Sequence, residues 1–220
     1  MWSRALFSAV LLAIACLSAA TDKEVDELLA RMRQVYRSAR TATFVTKAKR
    51  WTGAGEMTYK SEVTYGSPRN MHIRVTGGPV ADGDELILVS NGRQIECRYP
   101  GGKTRMGYDP DSLLGPAAIN LESICFWDGE RQLSTRRGGN MHESKLSLIH
   151  SEEWKGKSWI VLEESAPQMG VFVRYFIAPD TYLIWRTVVQ TLDRKRTRGD
   201  YWLEKIEIDS PVKASLFKLD

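Results

Sequence analysis

The sequence is poor in cysteine and histidine, with three of each among its 220 residues. His72, His142 and His150 lack the close spacing of metal ligands, and Cys97 and Cys125 lie far apart, so no metal or other cofactor is expected. Cys97 and Cys125 are instead candidates for a disulfide, which contributes about 3–4 kcal/mol in an oxidising compartment. Two buried free thiols are the equal alternative.

The chain also lacks a strong excess of one charge. It has 31 Lys and Arg residues against 27 Asp and Glu residues, a net charge of +4 at pH 7. The basic residues are scattered, and their densest cluster, Arg194–Arg198, is typical of a solvated hairpin turn. A nucleic-acid partner is therefore not expected.

Enzyme motifs are missing or incomplete. Gly102-Lys103-Thr104 is similar to the end of a phosphate-binding loop, but Cys97 stands where that loop requires an earlier glycine, so a hairpin tip is predicted. Ser210–Lys213 has the Ser-x-x-Lys spacing of acyl-enzyme hydrolases, but the proline after the serine favours extended entry into a last strand. Asp109 and Asp111 are interpreted as helix caps. The sequence therefore predicts a protein without catalytic residues.

Apolar runs long enough to cross a bilayer are absent, since the longest, Ala5–Leu17, falls short of the ~20 residues required. This run follows Arg4 and precedes the small residues Ser18–Ala20, a pattern typical of a cleaved secretory signal. We expect a signal peptide at residues 1–20 and a single domain at residues 21–220. The alternative is a lipoprotein anchored through Cys16.

Alternating apolar and polar residues are abundant, and they predict half-buried strands. The clearest pattern begins at Gly55, breaks at Gly66–Pro68 and resumes, so a second strand turns back beside the first. One face of this pair carries Met57, Tyr59, Val63, Tyr65, Met71, Ile73 and Val75. Such a face requires a second protein layer or a bound ligand to cover it.

A helix is predicted before these strands, because apolar residues recur at spacings of three and four in Val25, Leu28, Leu29, Met32 and Tyr36. Further strands are predicted at Thr41–Trp51 and Asp84–Ser90, and at Ile95, Cys97 and Tyr99 after an Asn-Gly turn. The result is an antiparallel meander of five strands. A second meander is predicted from Lys145 to Ile208, after short broken helices between Asp109 and Ile124.

Two of these segments carry a family resemblance. Leu28–Lys49, "LLARMRQVYRSARTATFVTKAK", and Leu86–Met106, "LILVSNGRQIECRYPGGKTRM", resemble the LolA/LolB-like periplasmic lipoprotein carriers in their order of helix, Thr/Phe-rich strand and Asn-Gly hairpin. The ending "SPVKASLFKLD" is similar to the closing strand of that family. The chain departs from the carrier at Ser67, where the carrier has an arginine before the turn proline that helps to hold its lid closed.

The resemblance implies an α+β, mainly β fold: an incompletely closed, strongly curved antiparallel β-sheet, or half-barrel, with an N-terminal helix and short lid helices around an apolar cavity. The expected partners are acyl chains of a lipid or lipoprotein, and envelope membrane proteins, in the periplasm. A protein-interaction module with the same fold and a filled core is the alternative. Besides the face described above, the wall of the cavity is expected to include Leu86, Leu88, Ile95 and Tyr99.

Overall fold

The computed structural model describes residues 21–66, 70–78, 80, 83–107, 145–167 and 170–219. Four sequence predictions lie outside these residues: the signal peptide with Cys16, the carrier's latch position Ser67, the lid helices between Asp109 and Ile124, and Cys125.

The first half of the described chain contains a helix and six strands. They are α1 (Thr21–Ser38), β1 (Thr41–Thr52), β2 (Gly55–Gly66), β3 (Asn70–Gly77), β4 (Glu85–Asn91), β5 (Gln94–Tyr99) and β6 (Gly102–Gly107).

The second half adds five strands and a short 3-10 helix. They are β7 (Lys145–Trp154), β8 (Lys157–Ala166), β9 (Val171–Ile177), β10 (Ile184–Thr191), β11 (Thr197–Ile208) and the 3-10 helix (Ala214–Phe217).

Helix α1 forms where its apolar period predicted it. Val25, Leu29 and Met32 are buried on one face, while Arg37 in the last turn suits the negative end of the helix dipole. No helix in the described part of the chain is long and apolar enough to cross a membrane.

All eleven strands of the described residues belong to one antiparallel sheet, in the order β6-β5-β4-β3-β2-β1-β11-β10-β9-β8-β7. The two meanders meet at its centre, where β1 pairs with β11 from Ala42 opposite Ile208 to Arg50 opposite Gly199. The sheet does not close on itself, so the predicted half-barrel is confirmed.

The apolar alternation predicts the buried face correctly. Met71, Ile73 and Val75 on β3 are buried, while Arg74 between them is exposed. We call the buried side of the sheet the inner face, because its side chains form one core with α1. Since strands from both meanders contribute to that core, the sheet curves around the helix.

Two local predictions were wrong. Lys103 and Thr104 lie in β6 and not at a hairpin tip, because Pro100 and Gly101 already make the turn. The predicted closing strand is a 3-10 helix, whose Phe217 contacts the sheet at Gly66. This segment therefore does not add a strand to the sheet.

The other side of the sheet, the outer face, has its own aromatic cluster on β7–β10. We call Trp154, Trp159, Phe176 and Trp185 the outer-face cluster. Arg186 lies 5.0 Å from the ring centroid of Trp154 and 5.1 Å from that of Phe176, and donates two hydrogen bonds of 2.8 and 2.7 Å to Asp200. Cation–π contacts and a bidentate ion pair thus fix the side chains of neighbouring strands to one another.

The contact between Gly66 and Phe217 yields a stability prediction. A Cβ added at Gly66 would lie 2.8 Å from Cε2 of Phe217, so we expect Gly66→Ala to lower the free energy of unfolding by about 1–3 kcal/mol through overpacking. Gly53→Ala is the control, since its Cβ would meet nothing within 4 Å. Urea unfolding measures both variants. In a Phe217→Ala background the Gly66→Ala penalty should vanish, and an undiminished penalty there would contradict the assignment.

Candidate binding site

Most of the residues predicted for the cavity wall lie together in the inner-face core. These buried residues are Tyr59, Val63, Tyr65, Met71, Ile73, Val75, Leu88 and Ile95. Leu86 packs at the border of this core, whereas Met57 is half-buried outside it and Tyr99 is 45% exposed. The two-residue alternation therefore places the side chains on the right face, and whether they contact a ligand stays a prediction.

Two hydrogen bonds join helix α1 to Tyr182 and Ile184, at the start of β10. The Ile184 amide donates to the Tyr36 hydroxyl at 2.9 Å in a buried setting. The Arg31 guanidinium donates to the Tyr182 hydroxyl at 2.6 Å at the surface, and this hydrogen bond raises the pKa of Arg31.

An open cleft of about 230 Å³ lies between α1 and strands β7 and β8. It has an apolar floor and a charged rim, and it is lined by Glu24, Glu27, Leu28, Arg31, Leu148, Ile160 and Tyr182. An apolar site with a few polar groups is typical of sites for amphiphilic ligands.

Tyr182 at the rim has a left-handed backbone conformation, with φ of 56°. The turn before β10 requires it, because the Tyr182 amide donates to the carbonyl of Ala178 while the Ala178 amide donates to the carbonyl of Leu183. Glycine normally fills such a position, and a bulky residue there is strained. The tyrosine places its hydroxyl on Arg31 and its side chain in the cleft wall.

One row of paired residues crosses the inner face and begins at Leu148 in the floor of the cleft. Directly paired residues of neighbouring strands point to the same face of a sheet. The row runs through Leu148, Leu162, Tyr175, Thr187, Tyr201, Ala48 and Tyr59. We call it the cross-strand row.

The hydroxyl groups of the cross-strand row differ in whether they have a hydrogen-bond partner. Tyr175 donates to the buried carboxylate of Glu164 at 2.6 Å. Tyr59 is hydrogen-bonded to Tyr201, and burial together with that neighbour raises the pKa of Tyr59 far above its usual value. Thr187 is only 5% exposed, and its Oγ1 finds no hydrogen-bond partner among the described residues.

The sequence reading did not identify Thr187, Tyr175, Tyr201 or Glu164 as site residues. Their strands were predicted. Alternation also assigns these residues to a face of the sheet once the face of one other residue in the same strand is known. Their meeting depends on the registers of β9 against β8 and of β10 against β9 and β11, which alternation within one strand does not specify.

Cys97 lies half-buried on β5 at the border of the inner-face core, and burial raises the pKa of its thiol. Its pairing with Cys125 stays a prediction, because Cys125 is not among the described residues. The described residues contain no group of three or more His, Cys, Asp or Glu side chains placed to hold a metal ion.

The fold is shared with solved structures of bacterial proteins. MucB matches with a TM-score of 0.54 and 14% identity over 90% of this chain, which spans 64% of the MucB chain. The MucA/MucB complex from Pseudomonas aeruginosa also matches, with a TM-score of 0.51, 12% identity, and coverage of 90% of this chain and 61% of that chain.

An uncharacterized conserved protein from Thermus thermophilus matches over more of its length, with a TM-score of 0.55, 8% identity, and coverage of 90% of this chain and 94% of that chain. A LolA superfamily protein from Nitrosomonas europaea, the family that the sequence resembles, matches with a TM-score of 0.44, 9% identity, and coverage of 88% and 97%. No family model and no curated protein matches the sequence. At these identities the similarity establishes the fold alone.

The attachment of α1 generates a second prediction. Tyr36→Phe would leave the buried Ile184 amide without its acceptor, so we expect the free energy of unfolding to fall by about 1–3 kcal/mol and the Ile184 amide to exchange faster with deuterium. Tyr182→Phe is the matched control, because its partner Arg31 is exposed and can bond to water instead. Equal losses in the two variants would contradict the assigned role of the buried bond.

Proposed function

We propose that this chain is an exported, non-enzymatic binding protein that shelters the acyl chain of a lipid or lipoprotein between helix α1 and the inner face of the sheet. The single observation that carries this proposal is the cleft beside α1. Its floor is made by Leu28, Leu148 and Ile160, and it leads directly onto the apolar end of the cross-strand row.

The dimensions of the two layers favour a bound ligand on this face. Eleven strands spaced about 4.8 Å apart make a sheet roughly 50 Å wide along its curve, whereas a helix with its side chains is about 10 Å across. Among the described residues, helix α1 covers a fraction of that width. An alkyl chain beside the helix would extend the apolar layer that packs on the inner face.

The cleft is smaller than typical ligand pockets of ~300–1000 Å³, so a long alkyl chain requires α1 to move outward. Such a movement breaks the hydrogen bonds from Arg31 to Tyr182 and from Ile184 to Tyr36, which join the helix to the start of β10. Each methylene transferred from water to the inner face contributes about 0.8 kcal/mol, so several methylenes offset the loss of such bonds. Met32 and Met71, both buried there, adapt readily to alkyl chains of different shape.

Export to the periplasm is supported by the signal-like residues Met1–Ala20, with anchoring through Cys16 as the alternative. The similar folds come from MucB and from a LolA superfamily protein. The roles that we propose for the binding site are those of a lipid or lipoprotein carrier or of an envelope sensor.

A protein-interaction module is the second candidate function. It is favoured by the match to MucB in complex with MucA, and by the dense packing of the inner-face core. In this alternative a protein partner binds at the surface and the inner face stays filled by the chain itself.

The test of the proposed function compares two adjacent residues of β7 that lie on opposite faces. Leu148→Glu places a carboxylate in the floor of the cleft, whereas Ile149→Glu places it on the outer face. With monolauroylglycerol as the probe, we expect Leu148→Glu to weaken binding by roughly tenfold or more, because an alkyl chain cannot solvate the charge. Isothermal titration calorimetry on the folded variants measures the effect.

Ile149→Glu should bind the probe like the unmodified protein. If the unmodified protein binds no acylglycerol, and native mass spectrometry of protein from the periplasm finds no acyl ligand, the interaction module replaces the carrier. Equal weakening by both substitutions would argue against the cleft as the binding site.

A further inference from the structure

We propose that Thr187 donates a hydrogen bond to the ester carbonyl of the bound ligand, so that the site prefers neutral, ester-linked acyl chains. This inference rests on the proposed function and specifies its ligand class. It starts from the unsatisfied hydroxyl of Thr187 on the inner face.

A buried hydroxyl without a partner is costly and uncommon in folded proteins. The neighbours of Thr187 in the cross-strand row do not relieve this cost. On one side the Tyr175 hydroxyl is directed to Glu164, and on the other side Tyr201 is hydrogen-bonded to Tyr59. Thr187 is therefore the buried hydroxyl of this row for which the described residues supply no hydrogen-bond partner.

The cross-strand row is itself amphipathic along its length. Leu148 and Leu162 form its apolar end, on β7 and β8, and Tyr175, Thr187 and Tyr201 form its hydroxyl-bearing part, on β9 to β11. Thr187 lies three strand spacings from Leu148, roughly 14 Å. A ligand with an alkyl chain and a small polar group at one end matches this order, with the chain on the leucines and the polar group at Thr187.

Burial of the site selects between polar groups. Thr187 is 5% exposed, and the Tyr175 hydroxyl on the paired strand is occupied by the Glu164 carboxyl group. A ligand carboxylate placed there would bring a charge into a site poor in water, which costs far more free energy than burying a neutral group. An ester carbonyl accepts the threonine hydrogen bond without carrying charge, so the geometry favours an acyl ester over a free fatty acid.

The experiment compares monolauroylglycerol with dodecyl glyceryl ether, which has an equally long chain and lacks the carbonyl. We expect the unmodified protein to bind the ester about three- to tenfold more tightly, as one hydrogen bond provides. Thr187→Val keeps the shape of the side chain and removes the hydroxyl, so it should bind both ligands with the affinity of the ether. Thr187→Ser should keep the preference for the ester.

The control is Thr43→Val, a half-buried threonine on the outer face of β1, which should leave both affinities unchanged. Thermal unfolding of each variant without ligand confirms that it is folded. Thr187→Val should be at least as stable as the unmodified protein, since it removes an unsatisfied buried hydroxyl.

The outcomes separate this inference from the proposed function. Equal binding of ester and ether to the unmodified protein would overturn the role of Thr187 and leave an acyl-binding protein. A preference for the ester that survives in Thr187→Val would overturn it as well. Failure to bind either ligand would overturn the proposed function itself.

When the ester preference depends on Thr187, two competitors identify the natural source of the ester. The competitors are a dipalmitoyl lipopeptide and dipalmitoylglycerol. If the lipopeptide displaces monolauroylglycerol at the lower concentration, the site is assigned to lipoproteins. If dipalmitoylglycerol does so, the site is assigned to lipids. Both results retain the ester carbonyl as the group that Thr187 recognises.

Discussion

The fold is governed by an apolar sheet face that is wider than the helix covering it. Alternation along the strands directs Val63, Met71, Ile73 and their neighbours to the same side of the sheet. The sheet removes that side from water by curving around a second apolar layer. Helix α1 fills part of the curve. In the described part of the chain, the cleft lies where the helix meets the outermost strands of the second meander, β7 and β8. Its position therefore follows from how the helix packs on the sheet.

Contacts on the outer face stiffen the second meander. Arg186 lies between the rings of Trp154 and Phe176 and is tied to Asp200, and Arg174 contacts Phe176 while pairing with Glu163 on the next strand. These contacts join β7 to β11 side by side, so a change in curvature would disrupt several of them together. Helix α1 packs on the inner face through apolar side chains such as Leu29 and Met32, so the proposed outward movement would exchange one apolar contact for another.

The spacing of apolar residues along the chain made most helices and strands predictable. Features that depend on contacts between different strands could not be predicted. Apolar residues recur every three or four positions from Val25 to Tyr36 and every two positions in β1 to β5. These spacings predict which face of each element is buried and roughly where the element begins and ends. Strand β6 was not predicted, because Lys103, Thr104 and Arg105 show no apolar alternation on an exposed edge. The 3-10 helix was taken for a strand because Phe217 anchors to Gly66 through a contact that the sequence does not encode locally. Thr187 could not be recognised, since its neighbours are set by register across four strands.

The pairing of β1 with β11 also has a consequence for how the chain acquires this structure. The strand that opens the first meander finds its second partner only after more than 140 further residues have been made, and the core around α1 needs strands from both halves. Contacts so distant along the chain make folding slow, because a long loop must close before the contact stabilises anything. Until then, β1 presents an unpaired edge and the first meander presents a bare apolar face, a state prone to aggregation. We therefore expect the pairing of β1 with β11 to form late in folding, and the chain to be most prone to aggregation before it forms.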